Sequence, residues 1–202
     1  MPQQDIVGMH KLRHEVFALK LGWEVKSENG LERDEFDDVP EVVYIVAKSP
    51  AGIVDACWRL LPTLGPNMLR DTFPALLHGQ AAPAAADCWE LSRFAVATDR
   101  AGTSNATVGP ISRGLMVESM KFAIEHGIAR YVTVTTPILE RMLKQTGINI
   151  HRVGPPIRIG VATAVACYIE VDEQTKSALG HVSAETSLET QNRSHGSNAL
   201  PL

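Results

Sequence analysis

From Met9 to Leu21 the apolar residues Met9, Leu12, Val16 and Leu19 recur at three- and four-residue steps, the spacing of one helix face, and Gly22 closes the run. No period holds from Glu24 to Glu41, where eight acids face only Lys26 and Arg33 and where Gly30 and Pro40 act as breakers. This predicts a long loop, and long loops in compact domains often carry function. Val42 to Ala47 and Ile53 to Leu61 are β-rich runs joined by Ser-Pro-Ala-Gly, which predicts a hairpin. Pro62 to Leu77 reads as a loop with one or two helical turns, and Gly79 to Ala86 as an Ala/Pro connection. Trp89 to Ala97 is a further strand. Pro110 and Gly127 bracket a helix ending at His126, Tyr131 to Thr136 is a β-branched strand, and Pro137 to Thr146 is a short helix before Gly147. Val161 to Val171 is the last strand, and beyond Gly180 the polar residues take over and the period vanishes.

This order predicts an α/β fold, a three-layer α-β-α sandwich whose mixed sheet is largely antiparallel rather than doubly wound. It is similar to the order of elements in N-acetyltransferases. The expected organisation is one domain over residues 1–180 and a polar, disordered tail over 181–202, since a chain of 202 residues suits a single core.

A net charge of −4 and an isoelectric point near 6.0 offer no global attraction to nucleic acid or to an anionic membrane. Apolar residues do not run together for the length of a spanning helix. Cys57, Cys88 and Cys167 are odd in number, lack paired spacing and fall in apolar stretches, so buried free thiols and a cytoplasmic location are expected.

The chemistry concentrates in Trp-Glu-Leu-Ser-Arg-Phe, where Glu90, Ser92 and Arg93 interrupt a core strand. An unpaired buried ion costs several kcal/mol, so such charges are either paired or used. In a regular strand Glu90 and Arg93 point to opposite faces and share a pocket only if a bulge shifts the register. The plain alternative is that they form separate salt bridges with Arg59 and an acid of the loop. Ser92 lacks the Gly-x-Ser-x-Gly elbow of a serine nucleophile. His10 and His14 have a metal-like spacing on a helix, but no third ligand cluster accompanies them, and no metal is expected.

Five blocks in order carry a resemblance: Met-His-Lys-Leu-Arg-His-Glu-Val-Phe with Leu-Gly-Trp-Glu-Val; Glu-Arg-Asp-Glu-Phe-Asp-Asp; Cys-Trp-Arg-Leu-Leu-Pro-Thr; Met-Leu-Arg-Asp-Thr-Phe-Pro-Ala-Leu-Leu; and Trp-Glu-Leu-Ser-Arg-Phe-Ala-Val. Together they resemble the acyl-homoserine-lactone synthases, or autoinducer synthases, from about Gly8 to about Gly180. The family's charged and aromatic signature falls on Arg13, Phe17, Trp23, Asp34, Asp37, Arg59, Glu90 and Arg93. Members usually have a first strand ahead of the helix, for which only Met1 to Val7 stand here. The resemblance implies an acyltransferase that joins S-adenosylmethionine to an acyl group on acyl carrier protein, releases methylthioadenosine, and makes a quorum-sensing lactone. S-adenosylmethionine is then a substrate, and no cofactor is expected.

The residue types suit that substrate. Its cations want acids, its carboxylate an arginine, and its sulfonium and adenine aromatic faces. Asp34, Asp37, Arg13 or Arg59, Phe17 and Trp23 form such a set, with Glu90 as the proton acceptor and backbone N–H groups near Arg93 for the oxyanion. Arg130, Arg141, Lys144, Arg152 and Arg158 face only Glu140 in their stretch, a docking face for an acidic carrier protein or simply a solvated basic surface. In similar synthases a threonine matching Thr135 accompanies 3-oxo chains, although β-propensity also explains a strand threonine. Met116, Met120, Leu139, Met142 and Leu143 are candidates for a medium to long acyl chain, or ordinary core. Two rivals stand: a coenzyme-A-dependent N-acetyltransferase, which would need spaced glycines after an Arg or Gln to cradle a pyrophosphate, and a non-catalytic nucleoside-binding module.

Overall fold

The computed structural model describes residues 1–98, 109–180 and the strand 188–192. Helix α1 (Gln3–Arg13) runs on without a break into a π-helical stretch, His14–Lys20. Here the Leu21 N–H reaches back five residues to the Val16 carbonyl at 3.0 Å. The wider turn slips the phase of the apolar face. Phe17 enters the core in consequence, while Leu19, expected on the buried face, is 68% exposed.

The acidic segment holds more structure than a plain loop. Asn29 and Gly30, both at positive φ (52° and 75°), turn a hairpin between β1 (Ser27–Glu28) and β2 (Leu31–Glu32), the two-residue turn that Asn-Gly favours. A 3-10 turn over Glu35–Asp38 follows, capped reciprocally by Asp34 and Asp37. The hairpin of β3 (Val43–Lys48) and β4 (Val54–Pro62) comes next. After it, Asn67 caps α2 (Met68–Asp71) and a 3-10 turn spans Pro74–Leu77. Then come β5 (Cys88–Val96), α3 (Pro110–Glu125), β6 (Arg130–Thr135) and α4 (Pro137–Gln145). Two short strands, β7 (Ile150–Arg152) and β8 (Ile157–Ile159), precede β9 (Ala162–Glu170) and α5 (Glu173–Leu179).

The main sheet runs β10 (Leu188–Asn192), β3, β4, β5, β6, β9, β7, with β8 also on β9. Every pairing is antiparallel except β5 with β6, so the sheet is mixed and largely antiparallel. Strand β10 (Leu188–Asn192) lies within the expected tail and pairs with β3. The remainder of 181–202 lies outside the described residues. Helices α3, α4 and α5 cover one face over a core of Ile45, Trp58, Leu91, Leu115 and Tyr131. Helix α1 and the acidic segment cover the other over Met9, Leu12, Phe17 and Leu61. Two layers of helices on a sheet make the expected α/β sandwich. The three cysteines are buried free thiols, with Cys57 pushed up to about 12 by burial, a protonated and inert state.

Candidate active site

The site forms where β5 breaks its register. Across the β4–β5 ladder, Cys57 pairs with Ala95 and Arg59 with Ser92, so two steps on β4 answer three on β5. The extra residue is Arg93, at φ +56°. An arginine held in the left-handed region marks a β-bulge that the fold maintains against strain. Its effect is to turn Arg93 onto the face that already carries Glu90 and Ser92. The Cys57 thiol, 3.8 Å from the Arg93 carbonyl oxygen, backs the bulge.

On that face three arginines and three acids close a ring of alternating charge. Arg13 holds Glu32 through Nε and donates from Nη1 to Asp37 Oδ1 at 2.7 Å. Glu32 Oε1 accepts from Arg93 Nε at 2.9 Å, and Arg93 Nη2 meets Asp34 Oδ2 at 2.7 Å. Asp34 accepts from Arg59, whose Nη1 lies 2.8 Å from Asp37 Oδ1. Tyr44 donates to the same Asp37 oxygen at 2.7 Å. Burial would raise the Asp37 carboxyl, but the Arg13 and Arg59 guanidiniums outweigh burial and hold it far below the carboxylate range. Arg13, Asp37 and Arg59 are buried inside the ring, whereas Arg93, with its side chain 12% exposed, and Asp34 form its accessible rim. Phe17 and Trp23 stack beside that rim with centroids 5.3 Å apart, and the Arg93 guanidinium lies 5.6 Å from the Phe17 ring centre.

Glu90 is 1% exposed, and each of its oxygens accepts a backbone N–H: Met68 on Oε1 at 3.0 Å and Leu69 on Oε2 at 2.7 Å. Burial raises its carboxyl above the ordinary range, against the opposing pull of those two N–H groups and of Arg59 and Arg93. A carboxylate so placed is oriented, and each oxygen keeps a second lone pair. Ser92 Oγ accepts from Arg59 Nε at 3.1 Å, so this hydroxyl steadies an arginine and, among the described residues, has no histidine partner of the kind that activates a serine.

The sequence-predicted set of Arg13, Phe17, Trp23, Asp34, Asp37, Arg59, Glu90, Ser92 and Arg93 therefore does come together. One part needs correction. Arg13 and Asp37, expected to reach for ligand, instead spend their charges on each other inside the ring, which leaves Arg59 as the arginine of that pair that also reaches the Met68 sulfur. Of the separate salt bridges considered for the strand, Arg93 does pair with acids of the acidic segment, while Glu90 binds backbone. Missed altogether were Glu32, which joins Arg13 to Arg93, and Met68, whose sulfur meets two guanidiniums. Glu32 sits with no apolar period around it, one acid among eight, and nothing in its spacing singles it out.

The opposite face holds a narrow apolar cavity lined by Trp58, Leu91, Met116, Met120, Tyr131 and Leu143, among others. Met116, Met120 and Leu143 thus gather as predicted, and Leu139 packs on the same core. Met142 is half-buried and outside the lining, as is Thr135. Trp58 Nε1 and Thr135 Oγ1 are nevertheless the buried side-chain polar atoms, among the described residues, that have no hydrogen-bond partner. Native interiors rarely leave such atoms unpaired.

Of the basic stretch, Glu140 binds Arg152 and Lys144, and Arg130 lies 3.5 Å from Glu170 and over Tyr168. Arg158 donates to the Gly160 carbonyl, and Arg141 is exposed. His10 is bonded to the Glu32 carbonyl at 2.7 Å and His14 to Ser27. Among the described residues no three His, Cys, Asp or Glu side chains converge as metal ligands would, and no helix is long and apolar enough to cross a membrane.

The sequence model of the autoinducer synthases matches residues 1–179. The chain belongs to the autoinducer synthase family. As an acyl-homoserine-lactone synthase it is an acyltransferase. It is 40% identical over 175 residues to the acyl-homoserine-lactone synthase of Pseudomonas aeruginosa, covering 85% of each chain. The crystal structure of the AHL synthase LasI matches with a TM-score of 0.80 at 36% identity over 92% of both chains. A CoA-dependent acyl-homoserine lactone synthase, BjaI, solved with S-adenosylmethionine and isopentyl-CoA, matches at 27% identity and a TM-score of 0.77, over 88% of this chain and 81% of that one. An N-acetyltransferase from Lactobacillus plantarum, at 14% identity and a TM-score of 0.57 over 85% and 94%, shares the fold alone. This autoinducer synthase therefore has the N-acetyltransferase-like sandwich that its order of elements implied.

Proposed function

We propose that this synthase makes an N-acyl-L-homoserine lactone from S-adenosylmethionine and an acyl group carried on acyl carrier protein. The observation that carries the reading is the bulge that places Arg93 beside Glu90, on the rim of an otherwise closed ionic ring and next to the stacked Phe17 and Trp23. With Glu90 ionised, three guanidiniums face four carboxylates. The cluster then has one net negative charge, matching the one net positive charge of S-adenosylmethionine. Glu90, directly or through water, takes a proton from the substrate amine; the freed lone pair attacks the thioester carbonyl, and the carrier thiol leaves as the amide forms. Backbone N–H groups around the bulge hold the developing oxyanion. The substrate carboxylate then attacks its own γ-carbon, the carbon–sulfur bond breaks, and methylthioadenosine departs with the lactone left behind. S-adenosylmethionine is consumed as a substrate, and the scheme calls for no cofactor.

The acyl chain enters the apolar cavity of Met116, Met120 and Leu143. The unpaired Trp58 N–H and Thr135 hydroxyl favour a chain bearing an oxygen at carbon 3, for which they are donors. The basic face around Arg141 favours an acidic carrier, and buried reduced thiols suit the cytoplasm. The test is incubation with S-adenosylmethionine and matched acyl-carrier-protein and acyl-CoA donors, with lactones identified by mass spectrometry. Lactone from the carrier series, foremost 3-oxo chains, is the expected result. Turnover from acyl-CoA alone would overturn the donor, and absence of every lactone the reaction.

A further inference from the structure

Where the buried Arg59 meets the rim arginine Arg93, one contact is chemically mismatched. Arg59 Nη2 lies 3.1 Å from Met68 Sδ, and Arg93 Nη1 lies 3.4 Å from the same sulfur. A thioether is a weak acceptor, yet here two cationic donors converge on it from two strands, next to the accessible part of the ring. A carboxylate at that point would accept from both guanidiniums by charge-assisted bonds about twice as strong as neutral ones.

We infer that Met68 is a displaceable place-holder, its thioether occupying the point between Arg59 and Arg93 where the substrate's α-carboxylate docks. This rests on the proposal above that S-adenosylmethionine is the substrate. The displacement is local. The Met68 backbone is pinned by its N–H to Glu90 and by the Asn67 cap of α2, so only the side chain needs to move. An unbranched side chain with three rotatable bonds does so cheaply. The sulfur takes the remaining donor directions of two guanidiniums that Asp34, Asp37 and Glu32 already hold. On arrival, the carboxylate replaces a weak acceptor with a strong one, and it is held by the two arginines in the orientation from which it later attacks the γ-carbon. Met68 is on this account a positioning and specificity residue, since a ligand without the carboxylate gains nothing from displacing it.

The experiment is isothermal titration of the full chain with S-adenosylmethionine and with its decarboxylated analogue, S-adenosylmethylthiopropylamine. Met68→Gln places a stronger amide acceptor between the arginines. It is expected to weaken S-adenosylmethionine binding about tenfold while the analogue changes less than about twofold. Met68→Leu keeps the volume and removes the acceptor, and is expected to tighten S-adenosylmethionine about threefold with the analogue again unmoved. If Met68→Gln does not fold, Met68→Leu decides alone. Equal changes for both ligands, or none for either, would overturn the place-holder. A wild-type chain that binds neither compound would instead overturn the substrate reading on which it rests.

Discussion

On the α1 side of the sheet the guanidiniums of Arg13, Arg59 and Arg93 all meet carboxylates, while on the α3 side the Trp58 N–H and the Thr135 hydroxyl have no hydrogen-bond partner among the described residues. The charged face is satisfied internally and exposes only a rim. The apolar face leaves two neutral dipoles unpaired. Since a buried ion without a partner costs several kcal/mol and a neutral dipole only about 1–3 kcal/mol, a fold can leave the second vacant for a ligand but not the first. The comparison predicts that changes on the charged face act on rate and stability, and changes on the apolar face on ligand preference.

The largest effect is expected at Glu90. Glu90→Gln should lower the acyl-transfer rate by about 10²- to 10⁴-fold, because it removes the proton acceptor but keeps an oxygen for one of the two backbone N–H groups. Burial raises the wild-type carboxyl, so the rate should climb with pH through a limb above the ordinary carboxylate range, and the Gln variant should lack that limb. A wild-type profile flat across that range would remove Glu90 from the chemistry.

Next comes the interior of the ring. Asp37→Asn leaves Arg13 and Arg59 short of a buried counter-ion and should cost about 3–5 kcal/mol, seen as a fall in Tm of roughly 10 °C or more. The folded Asp37 carboxyl lies below its unfolded value. Its stabilisation is therefore complete above an unfolded pKa of about 3.9 and is lost as pH falls toward the folded value. The variant should accordingly lose less Tm than wild type on acidification. An unchanged Tm at neutral pH would show the ring to be open.

This division explains what could be read in advance. The principal strands β3, β4, β5, β6 and β9 and the helices α3 and α4 follow from period and punctuation, because those patterns record burial on one face. The helix start at Gln3 was missed because apolar spacing there is poor, and the π stretch because a phase slip after Val16 leaves no trace in residue type. Strands β7 and β8, three residues each, are too short for alternation to register. The residues of the ring other than Glu32 were legible as a set; their mutual pairing was not. That pairing depends on a bulge at Arg93 and on Glu32, whose partners lie 19 and 61 positions away.

On the apolar face, Trp58→Phe should lower Tm only slightly, since the cavity left by the smaller ring is partly offset by deletion of an unpaired N–H. It should also lower the preference for a 3-oxo over an unsubstituted donor by about two- to tenfold, the worth of one neutral hydrogen bond. Competition between the two donors, read from the lactone ratio, measures this. A ratio equal to wild type would mean that the indole N–H does not meet the chain.

The smallest effect is expected on the basic surface, where the same contrast between spent and available charge applies. Arg152 is held by Glu140 through both Nε and Nη2, at 2.8 and 2.6 Å, whereas Arg141 is exposed on α4 two positions from Leu143 of the cavity. A cation already paired has less to offer an acidic carrier, and exposed pairs are worth about 1 kcal/mol or less. Arg141→Glu should therefore raise the KM for acyl carrier protein about three- to tenfold at low salt with kcat unchanged, and the difference should shrink as salt screens the surface. Arg152→Gln should have a smaller effect on KM. A larger effect at Arg152 than at Arg141 would mean that Glu140 releases its partner on docking, and that the spent charges of this surface, unlike those of the ring, can be drawn out by a partner.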